Sequence, residues 1–224
     1  MSLTTIDPFL VAVVLLNLFL LGTGRLKALI FAVALQGAIL GIIYPLTHQG
    51  VHASGTNVVS LRLLALAAAM IAIKGIVMPR MLTYAMREAS VSWRIEPYVG
   101  LTTSLLLGAV GTGLALALSR TLPLRTEHAS HLLVPASLST VLTGFLVLTT
   151  RREALTQVLG YLVLENGIFI FGLLLVDAMP LIVEVGVLLD LFVGVFVMGI
   201  IIHHVNRQFT ASTSDHLSAL KEWE

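Results

Sequence analysis

Residues Leu155–Val176 read LTQVLGYLVLENGIFIFGLLLV, twenty-two positions carrying a single charge, Glu165. As a helix at about 1.5 Å per residue this run covers about 33 Å, enough to cross a hydrocarbon core of about 30 Å. Working outward, similar apolar runs occupy Leu132–Thr150 before it and Leu181–Val205 after it, and four more lie towards the N-terminus at Ile6–Gly22, Ala28–Leu46, Val58–Met78 and Pro97–Leu118. The expected fold is therefore all-α, a polytopic membrane protein of about seven transmembrane helices. Composition agrees: 57% of the 224 residues are hydrophobic and 11% charged, against about 25% charged in an ordinary soluble domain. A soluble globular protein is excluded. The formal net charge of +1 leaves no bulk basic field for nucleic acid. The absence of cysteine removes disulfides, iron–sulfur clusters and covalently attached haem.

Direction in the membrane follows from where basic residues fall. With the N-terminus outside, the inner side receives Arg25, Lys27, Arg80, Arg87, Arg94, Arg151, Arg152, Arg207 and Lys221, with Lys74 near that end of its helix; the outer side has Arg120 and Arg125, with Arg62 nearby. The bias predicts N-terminus out and C-terminus in. Asp7-Pro8 marks a helix start, and the basic residues follow the first run instead of preceding it, which suits a retained helix rather than a secretory signal. Pro79 is expected to end or kink the third helix and to open a polar connection over Arg80–Glu96. In the tail, Asp215 is placed to cap a short helix with Leu217, Leu220 and Trp223 on one face, either an interfacial anchor or a dock for a cytoplasmic partner.

Charges deep inside spans are costly, at least about 2.5 kcal/mol each at the bilayer centre, and so carry the functional information. With Ala178 taken as the apex of the turn between the last two helices, Glu165 lies thirteen residues before it and Asp190 twelve after. Both then sit about 18–20 Å from the turn, at matched mid-membrane depth. Asp190 is flanked by Gly186 and Gly194, and Glu165 is followed by Asn166 and Gly167, where a local bulge is expected. The protonation of such carboxyls responds to nearby charge, as a proton relay requires; the competing role is packing through a protonated carboxyl. Glu184 points away from Asp190 and lies about a turn from the outer end, where hydration is the plainer role. Lys74 either snorkels to the interface or biases the acidic pair as a cation, and Arg62 is expected to snorkel. Asn17 and Gln36 are expected to hydrogen-bond between helices, and Gly100, Ser104, Gly108 and Thr112 to form a small-residue packing stripe. The histidines, among them His48, His52, His128 and His131 in the outer loops, lack supporting metal ligands, and no phosphate loop or nucleophile motif occurs.

The run from Arg151-Arg152 through Gln157-Val-Leu-Gly-Tyr-Leu-Val-Leu-Glu165-Asn166-Gly167, followed by an acidic seventh helix, resembles hydrogenase-4 component E, a membrane subunit of formate-hydrogenlyase-type group 4 nickel–iron hydrogenases. That resemblance covers most of the chain, including the Lys74 to Pro79 region. The last three helices also resemble the small K subunit of respiratory complex I and its counterpart, the C subunit of multisubunit sodium/proton antiporters, which carry one acid in the second helix and one in the third. The resemblance implies a division into residues 1–131, a K-like region 132–207 and a tail 208–224. It places Glu165 at the first acidic position and Asp190 at the second, with Glu184 as rival because Asp190 is shorter than the usual glutamate. It further implies a non-redox subunit of a bacterial or archaeal cytoplasmic membrane, without cofactors of its own, lying against antiporter-like proton-channel subunits and a peripheral arm that holds nickel–iron and iron–sulfur centres. Proton-relay roles fall to Glu165, Asp190 and Glu184, and a charge-modulating role to Lys74. Two other roles fit the same residues: a sodium/proton antiporter subunit, or a structural adaptor of the membrane arm.

Overall fold

A computed structural model describes residues 5–48, 57–88, 98–121 and 130–175, together with 185, 186 and 192. Helix α1 spans Asp7–Gly22, with Pro8 in its first turn, where a missing N–H costs nothing, and it stops as Thr23 turns extended while its N–H still reaches the Phe19 carbonyl. Helix α2 spans Leu26–His48 and carries Pro45 within its last turn. The third rod is one uninterrupted helix: α3 (Asn57–Met70), a π-helical segment (Ile71–Val77) and α4 (Met78–Glu88). Helix α5 covers Leu101–Thr121, α6 Leu133–Thr150, and α7 Ala154–Gly172, prolonged by a 3-10 turn at Leu173–Leu175.

The described residues contain helices and no strands. Among the described residues five helices are long and apolar enough to cross a membrane: Leu26–Thr47, Leu63–Arg87, Leu101–Thr121, Leu133–Thr150 and Leu155–Leu175; Asp7–Gly22 is apolar but shorter. The expected seventh span and the tail lie outside the described residues, apart from Val185, Gly186 and Phe192.

Two local expectations are corrected. Pro79 does not end the third helix. The Met78 N–H bonds to the Ile73 carbonyl five residues back, a π register that rearranges the pairing just before proline, which has no N–H to give. The helix then runs on to Glu88, so Arg80 and Arg87 stand on α4 and not in a polar connection. Conversely, no bulge forms at Glu165–Gly167: α7 is α-helical through it, because Gly167 is used for contact. A Cβ there would meet the Val141 backbone nitrogen at 2.6 Å.

Helix α6 lies against α1, α5 and α7, and α2 lies against α1, α7 and the third rod. The α6–α7 contact is backbone on backbone. A Cβ at Gly160 would stand 2.8 Å from the Leu148 nitrogen, one at Gly144 2.6 Å from Leu164 Cα, and Ser137 Oγ donates to the Gly167 carbonyl at 3.1 Å. Helix α5 approaches through small residues as expected: Ser104 and Gly108 are buried, Gly108 facing Leu21, while Thr112 Oγ1 meets Ser139 Oγ at 2.8 Å.

Apolar packing divides into two clusters. One joins Leu10, Val13, Leu40, Tyr44, Met70, Leu133 and Ile170; the other joins Leu20, Leu29, Val33, Met78, Leu82, Leu159 and Val163. On the four rods that enter both clusters a buried polar residue lies between them: Asn17 on α1, Gln36 on α2, Lys74 in the π segment and Asn166 on α7; Thr140 of α6, also buried, bonds to Asn17. A polar layer thus crosses the middle of an otherwise apolar bundle.

Candidate functional site

Within this layer the side chains form one directed hydrogen-bond chain. Lys74 Nζ donates to Asn166 Oδ1 at 3.1 Å, Asn166 Nδ2 to Gln36 Oε1 at 3.2 Å, and Gln36 Nε2 to Asn17 Oδ1 at 2.9 Å. Asn17 Nδ2 then donates to Thr140 Oγ1 at 2.8 Å, whose hydroxyl closes the chain on the Ala136 carbonyl at 2.6 Å. Gln36, Asn17 and Thr140 are 0% exposed, Asn166 2% and Lys74 5%. In a medium of low polarity an unmade hydrogen bond is expensive, so such a chain holds its members and its helices in a single arrangement. It also gives the Lys74 ammonium a direct acceptor at mid-bundle.

The backbone is fitted to that cation. Lys74 is the central residue of the π segment, a feature that often marks functional positions in helices. Opposite it α2 carries Gly37, where a Cβ would stand 2.7 Å from the Lys74 Cβ. A cavity of about 10 Å³, bordered by Lys74, Asn166, Val33, Met78 and Leu162, leaves space for about one water beside the ammonium.

Lys74 is therefore buried at mid-bundle and does not snorkel. Glu165, next in the chain to Asn166, is 9% exposed on α7. The structure thus brings Lys74 to the helix position adjoining Glu165. Glu184, Asp190 and the Arg62 side chain lie outside the described residues. Asn17 and Gln36 do hydrogen-bond between helices, as expected. Asn166 and Thr140, in contrast, carried no sequence signal as site residues, because amides and hydroxyls are common in spans and only partners on other helices distinguish these two. Among the described residues no group of three or more His, Asp or Glu is placed to hold a metal.

A second buried cation stands at one end of the bundle. Arg151 is 0% exposed and donates from Nη2 to the Leu21 carbonyl at 3.2 Å, one of the last acceptors of α1. Burial lowers its pKa from the ordinary guanidinium value, and neighbouring Glu153 works in the opposite direction. Arg152 instead stacks on Tyr98 at 4.3 Å, and the Tyr98 N–H bonds to the Thr150 carbonyl at 2.8 Å. The basic pair counted above as an orientation signal thus also ties the α6–α7 turn to α1 and to the start of α5.

The uncharacterized protein Rv0085 of Mycobacterium tuberculosis is 32% identical to this chain over 210 residues, covering 93% of the chain and 92% of that protein. The chain belongs to the Rv0085 family. Beyond that family, hydrogenase-4 component E of Escherichia coli K12 is 26% identical over 148 residues, 66% of the chain and 68% of that protein, and the component E of Shigella flexneri gives the same figures. No family model matches the sequence. No solved structure matches it either. This chain is thus distantly similar to hydrogenase-4 component E, and its apolar helices suit a respiratory-type membrane subunit.

Proposed function

We propose that this chain is a non-redox membrane subunit of a hydrogenase-4-like assembly, in which buried charge on α7 and the π segment takes part in moving protons as electrons pass through partner subunits. The observation that carries this is the bond from Lys74 to Asn166, which brings a buried cation to the helix turn that holds Glu165. A cation beside a carboxyl shifts the balance between its charged and neutral forms, and the effect is large where solvent is excluded. Lys74 would act as the charge that biases Glu165, with Asp190 or Glu184 as the second acid of the relay. The distant likeness to hydrogenase-4 component E supports membership in a multisubunit hydrogenase complex. Nickel–iron and iron–sulfur centres would belong to its partners, since this chain has no cysteine. Antiporter-like membrane subunits and a peripheral arm would be the neighbours, in a cytoplasmic membrane with the N-terminus out and the C-terminus in.

The test is neutral substitution in the assembled complex, Glu165→Gln together with Asp190→Asn, with protons moved per electron as the measured quantity. The expected result is a complex that assembles and still transfers electrons but moves fewer protons. Normal stoichiometry with both acids changed would sink the relay, and loss of assembly alone would favour a structural adaptor. Copurified partners without nickel or iron–sulfur absorption would instead favour an antiporter.

A further inference from the structure

A groove of about 480 Å³ runs between α2 and the π–α4 arm, outside the polar layer. Its floor is made by small residues, Ala34 and Ala38 on α2 and Gly75 across from them, and its rim by Phe31, 68% exposed, and Leu35, 41% exposed. Both basic residues of the groove stand at one end, because the helices are antiparallel: Lys27 opens α2 and Arg87 closes α4. From Lys27 to Ala38, and from Arg87 back to Gly75, the groove extends about 16–18 Å at the helical rise, close to half of a hydrocarbon core of about 30 Å.

Helix α4 fixes the depth of the charged end. Met78, Leu82, Ala85 and Met86 face inward, while Arg80, Tyr84 and Arg87 are exposed. Exposed Tyr and Arg at the end of a long span are the residues that settle at the headgroup level. The span Leu63–Arg87, at 25 residues, is also longer than the hydrocarbon core requires, which puts its final turn among the headgroups.

We infer that this groove binds one anionic phospholipid, its phosphate held between Lys27 and Arg87 and an acyl chain lying along Phe31, Leu35 and the Ala34–Ala38–Gly75 floor. The charge decides between occupants. A transmembrane helix of a partner would fill the small-residue floor equally well, but it would have to bring an acid to the headgroup end, whereas an anionic lipid presents a negative group at that depth and a tail of matching direction.

The probes are phosphatidylglycerol and phosphatidylcholine, titrated onto the purified full-length protein in lipid-free detergent, with bound lipid read by native mass spectrometry. Phosphatidylglycerol is expected to bind and phosphatidylcholine to bind far less. Lys27→Gln with Arg87→Gln is expected to weaken phosphatidylglycerol about thirtyfold, at roughly fivefold per cation, whereas Arg120→Gln, the loss of a single charge on α5, leaves it unchanged. Raising salt is expected to weaken binding to the unaltered protein, which tests the charge without any variant. Equal affinity for the two lipids, or undiminished phosphatidylglycerol binding in the double variant, would overturn the inference. So would a photoreactive residue at Leu35 that captures a polypeptide and no lipid in native membranes.

Discussion

Lys74 shows how far a residue's role depends on what surrounds it. Four residues before Met78, its side chain is long enough to reach an interface, and nothing in the local sequence opposes that. The folded bundle instead turns it inward, because the π register places it opposite Gly37 and within 3.1 Å of the Asn166 amide oxygen. Asn166 has two duties in that arrangement, accepting from Lys74 and donating to Gln36. Asn166→Leu is therefore expected to destabilise the bundle by about 1–3 kcal/mol, since the polar partners stay buried while the group between them is removed. Unfolding in detergent measures this. If Lys74 and Asn166 act as a unit, Lys74→Met combined with Asn166→Leu will cost less than the sum of the two single changes, by about 0.5–3 kcal/mol; strict additivity would mean that their contact contributes nothing. The carboxyl of Glu165 was legible from the sequence because a charge in an apolar run stands out. Asn166, beside it, was not, because an amide in a span is common and only its partners on α2 and in the π segment distinguish it.

Among the elements, the α6–α7 hairpin has the closest backbone approach and the plainest dependence on glycine. Gly144, Gly160 and Gly167 each face backbone atoms of the opposite helix, which cannot swing aside as a side-chain tip can. Gly160→Val is expected to cost about 1–3 kcal/mol and to lower the yield of folded protein. Gly113, on α5 with nothing within 4 Å of an added Cβ, supplies the comparison. Gly113→Ala should be neutral or stabilising, by up to about 1 kcal/mol, through helix propensity alone. If Gly160→Val costs no more than Gly113→Ala, as seen by thermal unfolding, close backbone approach does not set the effect. Helix positions over most of the chain were legible because hydrophobic run length maps directly onto span length. The third helix was the exception. Proline is a local stop signal, and the π segment that lets the helix continue packs against Gly37 and Gly41 of α2, which lie thirty or more positions away in the chain.

At the scale of the whole molecule, charge is sorted by the antiparallel order of the rods. The start of α2, the end of α4, the α6–α7 turn and the start of α5 bring Lys27, Arg87, Arg151 and Arg152 to one end of the bundle, while Asp7 accepts a hydrogen bond from Ser130 at the other. A one-sided distribution of this kind directs insertion, so reporters fused to the two termini are expected to read N-terminus out and C-terminus in. Two termini on the same side would contradict both the orientation and an odd number of spans. By itself the sequence determined that this is an all-helical membrane protein and that its few buried charges are the groups to test, because the bilayer penalises polarity in a way that composition and run length reveal directly. Only the tertiary structure decided that Asn17, Gln36, Lys74, Thr140 and Asn166 meet in one layer, that Arg151 turns inward and that the third helix runs through its proline. Each of those outcomes depends on which helix lies beside which, and hydrogen-bond partners supplied from another rod leave no mark in the local sequence.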